Sequence, residues 1–292
     1  MNILTFDIEE WYLEKYYFGN HSEKYKKFDS YLDKILETLD ERGLKGTFFC
    51  VGGMAVDFPH VVRKIRSQGH EVGCHSYKHV WLNTMTYEEV LEDTHKSVDA
   101  LEQCLGEKIK SYRAPAFSIG DKNKWALEIL SKCGIERDSS IFPAVRDFGG
   151  FPQFGQKSPA VINYQQMTIK EFPICTTTLF GKELVFSGGG YFRFFPLWFV
   201  KKRMKKNGYN ICYFHIDDLV IGHEKLMAKD EYEDYFKEQG TWKNRHLRYF
   251  KSNVGKSGAF KKMESLLGCM DFVNLTQADK MIDWTNVAKV QF

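Results

Sequence analysis

The sequence contains no apolar run that approaches the roughly 18 residues needed to cross a membrane. Asp7 also interrupts the first apolar stretch before a hydrophobic region of about seven residues can form, so the pattern of a secretory signal peptide is missing. We therefore expect a soluble, cytoplasmic protein.

Paired cysteine motifs are missing as well. The seven cysteines are scattered, odd in number and contain no Cys-x2-Cys spacing. This excludes a regular disulfide framework and a cysteine-based zinc finger of the usual spacing. We expect reduced thiols, and several of them lie in apolar segments where a small buried side chain is the simpler role.

The chain does not carry a large excess of one charge. Its 41 basic residues against 38 acidic ones give a net charge of +3, and the two signs are mixed along most of the sequence. Nucleic-acid-binding proteins concentrate basic residues on one face or stripe. We therefore predict no nucleic-acid partner.

The sequence does contain short β-branched and aromatic segments that alternate with helical patterns. This alternation indicates an α/β fold built from β-α units around a parallel sheet. We predict one domain over residues 1–292, with a core at about 1–220, an insertion of loops and β-hairpins at about 142–190 and a C-terminal extension at about 221–292. The predicted strands of the core are Asn2–Asp7, Gly46–Val51, Glu71–Cys74, Ile109–Arg113, Ile135–Asp138 and Tyr209–Phe214.

Polar side chains stand at the carboxyl ends of these strands. In parallel β-α folds these ends meet at one edge, where functional groups gather. We therefore predict a site at this edge. The residues concerned are Asp7, Glu9, His75, His79, Arg113, Asp138 and His215.

His75 and His79 are the strongest sign of chemistry in this group. Imidazoles four residues apart on a helical turn project from one face, so both rings can reach one ion. A carboxylate from another segment would complete the two-histidine, one-carboxylate set of a catalytic zinc site, which keeps one coordination position open. The spacing needs support from other motifs, because nine histidines in 292 residues give about 0.3 such pairs by chance.

Four motifs together resemble the polysaccharide deacetylase family, the NodB-homology group of carbohydrate esterases. The resemblance spans about residues 3–220 and implies a distorted, incomplete (β/α) barrel of about seven strands. It also implies a hydrolase that uses a divalent metal to remove acetyl groups from N-acetylated sugars. The motifs are Thr5-Phe6-Asp7-Ile8-Glu9, His75-Ser76-Tyr77-Lys78-His79, Arg113-Ala114-Pro115-Ala116-Phe117 and Tyr213-Phe214-His215.

The resemblance implies a role for each polar residue. Asp7 would be the base that activates water, Arg113 would orient Asp7, and His215 would be the acid that protonates the leaving nitrogen. Asp138 or Asp217 would hold the other ring nitrogen of His215. Zinc is the favoured ion, with cobalt, nickel, manganese and iron as alternatives.

The expected partner is an acetylated sugar or oligosaccharide. A backbone N–H near Tyr77 would help to bind the oxyanion. The predicted substrate contacts are Tyr77, Pro115, Phe117 and Tyr191.

One departure from the family's common motif leaves the third metal ligand open. The usual pair of adjacent aspartates is interrupted by Ile8, and acidic residues resume at Glu9 and Glu10. A branch of the family writes this motif as Asp-x-Asp/Glu, and along an extended segment residues 7 and 9 point to the same side. We assign Glu9 as the ligand, with Glu10 as the alternative.

Two other segments require an interpretation. Gly188–Arg193 contains three consecutive glycines but lacks the Lys-Ser/Thr of a phosphate loop, and we interpret it as a turn that lines a sugar groove. In Phe194–Lys206, apolar residues precede five basic ones, which predicts an outer helix with a solvated basic end. Contact with an anionic membrane surface is the alternative.

We predict a metal-dependent deacetylase that acts on a polysaccharide or its cytoplasmic precursor. Two alternatives stay open: a hydrolase of a non-sugar linear or cyclic amide on the same fold, and a carbohydrate-binding protein without turnover. The presence of both Asp7 and His215 argues against the binding protein, because binding alone requires neither a base nor an acid. The sequence makes no prediction of the oligomeric state.

Overall fold

The computed structural model describes residues 1–19, 21–145, 149–179, 181–220, 225–236 and 238–292. The predicted start of the C-terminal extension, at about residue 221, lies outside the described residues.

Strands and helices alternate through the first half of the chain, and helices dominate the last third. The strands are β1 (Asn2–Ile8), β2 (Thr47–Cys50), β3 (Glu71–Cys74), β4 (Ser111–Tyr112), β5 (Arg137–Asp138), β6 (Ala160–Tyr164), β7 (Met167–Glu171), β8 (Thr177–Leu179), β9 (Lys182–Leu184), β10 (Asn210–His215) and β11 (Ala288–Gln291). The α-helices are α1 (Glu10–Leu13), α2 (Ser22–Asp40), α3 (Gly52–Asp57), α4 (Pro59–Ser67), α5 (Tyr87–Leu105), α6 (Ala126–Lys132), α7 (Gly189–Phe194), α8 (Leu197–Lys206), α9 (Ile216–Leu219), α10 (Lys229–Phe236), α11 (Trp242–Asn253), α12 (Lys256–Leu267) and α13 (Leu275–Met281).

In the described part of the chain, nine strands form one sheet in the order β10-β1-β2-β3-β4-β5-β7-β6-β11. Neighbouring strands are parallel except β6 and β7, which form an antiparallel hairpin. The predicted α/β class is confirmed. The sheet has more than the expected seven or so strands because β7, β6 and β11 continue it beyond β5, and no pairing among the described residues joins its edges β10 and β11.

The region of the predicted insertion contains two hairpins with different positions. The β6–β7 hairpin belongs to the main sheet beside β5, and does not lie over the sheet as expected. Strands β8 and β9 form a separate two-stranded sheet.

Strand β1 lies inside the sheet between β10 and β2, and its residues 3–8 are buried. Burial on both faces is usual for a strand with parallel neighbours on both sides. Phe6 of β1 stacks on Phe48 of β2 with their ring centroids 4.7 Å apart. The register of β1 with β10 places Asp7 directly opposite His215, so backbone pairing brings these two site residues together.

Helix α5 supports the loop that follows β3. It begins with a capping box, in which the Thr86 hydroxyl accepts the Glu89 N–H and the Glu89 carboxylate accepts the Thr86 N–H. It ends at Gly106 in the left-handed conformation. Its buried face, which includes Val98 and Leu101, packs on the core, so its polar residues near the loop have fixed positions.

None of the helices formed by the described residues is both long and apolar enough to span a membrane. In α8, Val200 and Met204 are buried, whereas Trp198, Lys205 and Lys206 are exposed. This arrangement fits the predicted outer helix with a solvated basic end.

Candidate active site

Three donor side chains come together beyond the carboxyl ends of β1 and β3. Glu9 Oε2 lies 2.6 Å from His79 Nε2 and 3.4 Å from His75 Nε2. The donor atoms of all three residues lie within 4.8 Å of one another. Two imidazole nitrogens and one carboxylate oxygen are a donor set of catalytic zinc sites, in which a further position stays open. These residues therefore fit a divalent cation.

The His75 ring is oriented for this role. Its Nδ1 lies 2.7 Å from the carbonyl oxygen of Arg113, so Nδ1 donates its proton there. The lone pair of Nε2 then faces Glu9 and His79. Metal-binding histidines usually make such a hydrogen bond with the second nitrogen, which fixes the tautomer.

The histidine pair lies in a strained turn and not on the predicted helical turn. Ser76 and His79 adopt left-handed backbone conformations, with φ of 59° and 58°. The His79 N–H donates to Ser76 Oγ at 2.9 Å, and Asp93 of α5 accepts the N–H groups of Tyr77 at 2.8 Å and Lys78 at 3.2 Å. Non-glycine residues keep such conformations only where their surroundings hold them. Asp93 and Ser76 provide that hold.

Glu10, the alternative third ligand, points away from the histidine pair. Its carboxylate accepts the backbone N–H groups of Glu9 at 3.2 Å and of Asp217 at 2.9 Å. Burial, followed by repulsion from the Glu9 carboxylate, raises the pKa of Glu10 to about 8. The geometry therefore favours Glu9 over Glu10 as the carboxylate next to the histidines.

Asp7 lies beside the Glu9, His75 and His79 side chains and is held by the buried guanidinium of Arg113. Its Oδ1 accepts a hydrogen bond from Arg113 Nη1 at 2.8 Å, and the two side chains are 3% and 0% exposed. Arg113 also donates to Thr5 Oγ1 at 2.8 Å and to the carbonyl and hydroxyl oxygens of Ser139 at 3.2 and 2.9 Å. The guanidinium is fixed by these contacts, and Asp7 Oδ2 lies 3.8 Å from His215 Nε2.

His215 is supported by Asp218, and neither Asp138 nor Asp217 holds it as predicted. Asp218 Oδ2 lies 2.9 Å from His215 Nδ1 and accepts the backbone N–H of His215 at 3.1 Å. Asp217 instead forms an ion pair with Lys256, with 2.7 Å between Oδ2 and Nζ. His215 and Asp218 have the spacing of a helix cap and its third residue, which is the signal in the sequence that identifies this contact.

Asp138 belongs to a buried polar cluster beside Arg113 and not to the support of His215. Its carboxylate accepts the Ser140 hydroxyl at 2.5 Å. The neighbouring Glu171 carboxylate accepts the Ile141 N–H at 3.1 Å. Burial raises the pKa of both carboxyl groups, and the charge of Asp138 raises that of Glu171 further.

The charges of the site favour a carboxylate and an imidazolium close together. Burial would raise the pKa of Glu9, but His79 and His215 outweigh burial and hold it well below the usual value. Burial would lower the pKa of His215, but Glu9 and Asp218 hold it well above the usual value. His215 Nε2 lies 3.9 Å from Glu9 Oε1.

The predicted substrate contacts have different surroundings. The Tyr77 N–H donates to Asp93, so an oxyanion donor in this region would have to be another backbone N–H. Pro115 and Phe117 are buried. Tyr191, on α7, is 39% exposed and can contact a ligand directly.

Comparison with known proteins follows the two halves of the chain. Residues 3–137 match the family model described as polysaccharide deacetylase. Residues 139–280 match a domain of unknown function, DUF3473.

Two curated relatives match part of the chain. A peptidoglycan-N-acetylglucosamine deacetylase from Bacillus cereus is 31% identical over 128 residues, which cover 40% of this chain and 46% of that protein. A peptidoglycan-N-acetylmuramic acid deacetylase from Bacillus subtilis is 30% identical over 113 residues, which cover 35% of this chain and 43% of that protein. The chain therefore spans less than half the length of these relatives.

A solved structure supports the fold over the whole length. A protein from Mycobacterium smegmatis, assigned as a polysaccharide deacetylase, superposes with a TM-score of 0.63 at 17% identity, covering 100% of this chain and 92% of that chain. At this identity the likeness concerns the fold alone. By sequence, the likeness to the polysaccharide deacetylase family therefore covers residues 3–137, and the fold of the whole chain is like that of this solved structure.

Proposed function

We propose that this protein is a metal-dependent hydrolase that removes acetyl groups from N-acetylated sugars of a polysaccharide or its precursor. The proposal is carried by the position of His215, whose Nε2 lies 3.8 Å from Asp7 and 3.9 Å from Glu9. A base, an acid and a set of metal donors are thus within reach of one small substrate group. The two relatives named as peptidoglycan deacetylases support a sugar amide as that substrate.

Glu9, His75 and His79 would hold the cation, for which zinc is the favoured ion and cobalt, nickel, manganese and iron are alternatives. When bound, the cation would polarise the acetyl carbonyl and lower the pKa of a water molecule.

Asp7 is assigned as the base. It takes one proton from the attacking water while the water oxygen bonds to the acetyl carbon. Arg113 holds Oδ1 of Asp7, which leaves Oδ2 on the side of His215 to accept that proton. The contact with Arg113 therefore sets the direction of the carboxylate.

His215 is assigned as the acid. As the carbon–nitrogen bond breaks, Nε2 gives its proton to the nitrogen, and the products are a free amine and acetic acid, which ionises to acetate. An amine is a poor leaving group without this proton, and a positioned proton transfer contributes about 10²- to 10⁴-fold to the rate. Asp218 keeps the proton-donating nitrogen in place through its contact with Nδ1.

The test is acetate release from chitooligosaccharides, peptidoglycan fragments and acetylated nucleotide sugars, with chelator treatment and metal add-back. Wild type should release acetate, lose activity with chelator and regain it with metal. Asp7→Asn should lower kcat by about 10²- to 10⁴-fold. Asp33→Asn is the matched control, because Asp33 forms a half-exposed surface ion pair with Lys64.

Failure of this test separates the alternatives. If no acetylated sugar yields acetate but amide compounds without a sugar are cleaved, the substrate assignment is wrong. If the metal-loaded protein binds oligosaccharides and cleaves nothing, the chain is a carbohydrate-binding protein.

A further inference from the structure

The glycine-rich segment at the start of α7 lies against the strand that carries His215. Gly188 forms a β-bridge with Tyr213. A Cβ on Gly188 would lie 2.2 Å from Tyr213 Cδ1, a distance that no side chain tolerates. Glycine at this position therefore lets α7 approach β10 closely. The glycines of this segment therefore allow close packing of α7 against β10. The sequence instead predicts a turn that lines a sugar groove.

Arg193, the last residue of this segment, contacts Asp218, the residue that supports His215. Its side chain is 6% exposed, and its Nε lies 3.0 Å from Asp218 Oδ1. The Nε–H is not aligned for a hydrogen bond, so the contact is an ion pair. This carboxylate oxygen is the one that His215 does not use.

The rest of the Arg193 guanidinium is bound by the C-terminal part of the chain. Nη1 donates to the carbonyl oxygens of Ser252 at 2.5 Å and Val254 at 3.3 Å, and Nη2 donates to that of Lys251 at 3.1 Å. A Cβ on Gly255 would lie 2.6 Å from the Arg193 carbonyl oxygen, so the two segments are in close contact. The end of α11 thus fixes the direction of Arg193.

We propose that Arg193 is a positioning residue for the general acid. It fixes Asp218, Asp218 fixes the tautomer and direction of the His215 ring, and the end of α11 fixes Arg193. On this account residues 139–280, which match a domain of unknown function, complete the active site that residues 3–137 begin. The inference rests on the proposed function, because it assigns support to the acid of that reaction.

A positioning role differs from a purely structural one in its dependence on the leaving group. Proton donation by His215 matters for an amide, whose amine leaves only after protonation. It does not matter for 4-nitrophenyl acetate, whose phenolate leaves as an anion. Loss of Arg193 should therefore harm amide cleavage selectively.

The experiment compares wild type, Arg193→Met and Arg193→Lys on an N-acetylated chitooligosaccharide and on 4-nitrophenyl acetate. Arg66→Met is the control, because Arg66 forms an exposed ion pair with Glu107. Arg193→Met should lower kcat for the amide by about 10- to 100-fold, because it should remove part of the rate contribution of a positioned proton transfer. KM and ester cleavage should change little. Arg193→Lys should recover part of the loss, because it keeps the charge beside Asp218 but cannot bind all three carbonyl groups.

A second readout does not depend on activity. In a ¹⁵N-histidine-labelled protein, the Nδ1–H proton of His215 should give a downfield NMR resonance that Asp218→Asn removes and Arg193→Met shifts or broadens. The Arg66→Met spectrum should match wild type. If Arg193→Met does not fold, Arg193→Lys should show the same selectivity and the same spectral change with smaller size.

Three results would overturn the inference: a proportional loss of amide and ester cleavage, no loss of either in a folded variant, or an unchanged His215 resonance in Arg193→Met. If wild type cleaves no acetylated sugar, the proposed function fails, and the NMR comparison alone decides whether Arg193 positions His215.

Discussion

Arg113→Met should destabilise the protein strongly, because it leaves the Asp7 carboxylate buried without its counter-charge. The two side chains are 0% and 3% exposed, and removal of one partner from a buried ion pair costs about 3–5 kcal/mol. An entropy of unfolding near 2.1 cal/mol/K per residue gives about 0.6 kcal/mol/K for 292 residues. The expected fall in Tm is therefore about 5–8 °C.

Differential scanning calorimetry at one pH and without chelator measures this effect. The control Arg66→Met removes an ion pair whose side chains are 43% and 38% exposed, so it should cost under about 1 kcal/mol. Adding Asp7→Asn to Arg113→Met should recover part of the stability, because no buried charge is then left unpaired. A Tm of Arg113→Met within about 2 °C of wild type would refute the claim that the pair is desolvated and mutually dependent.

Three further predictions concern the metal donors and the buried histidine of the fold. Glu9→Gln should lose bound metal in elemental analysis after dialysis, whereas Glu10→Gln should keep it; equal metal content in both variants would contradict the assignment. Asp93→Asn should weaken metal affinity about 10- to 100-fold in a competition assay with a chelator, because the loop of the histidine pair loses its anchor. Burial, and then the Lys45 charge, lower the pKa of His70 to about 4; since the unfolded chain then binds the extra proton, stability should fall as pH drops from about 6.5 towards 4. The Tm of His70→Gln should fall less than that of wild type between pH 7 and 5, and equal slopes would contradict this reasoning.

The central part of the fold is predictable from local patterns. The sequences of β1 and β10 are mostly apolar, because both of their faces are buried. The β6–β7 hairpin is harder to place, because its two strands are only partly buried and a hairpin carries no local mark of its partner in the sheet. Its pairing with β5 depends on contacts distant in the sequence.

The candidate site is predictable to a different degree for each residue. The strand-end rule brings Asp7, His75 and His215 to one edge, and the alternation argument separates Glu9 from Glu10. The support of the site follows no such rule. Asp93 reaches the histidine loop from the face of a helix, and only the folded arrangement of α5 shows that contact.

The two family matches meet inside the main sheet and divide the candidate site between them. One match ends at residue 137 and the other begins at residue 139, so the boundary falls within β5, inside the main sheet. The second match also contains β10, which pairs with β1 through six residue pairs. The two matched segments therefore share one sheet, and backbone hydrogen bonds set the distance between Asp7 and His215. A site divided in this way requires both segments to fold together, since the first holds the proposed base and metal donors and the second holds the proposed acid and its support. Arg193 then matters more than its distance along the chain from the proposed metal donors suggests, because it joins the C-terminal helices, through Asp218, to the residue that we propose as the acid.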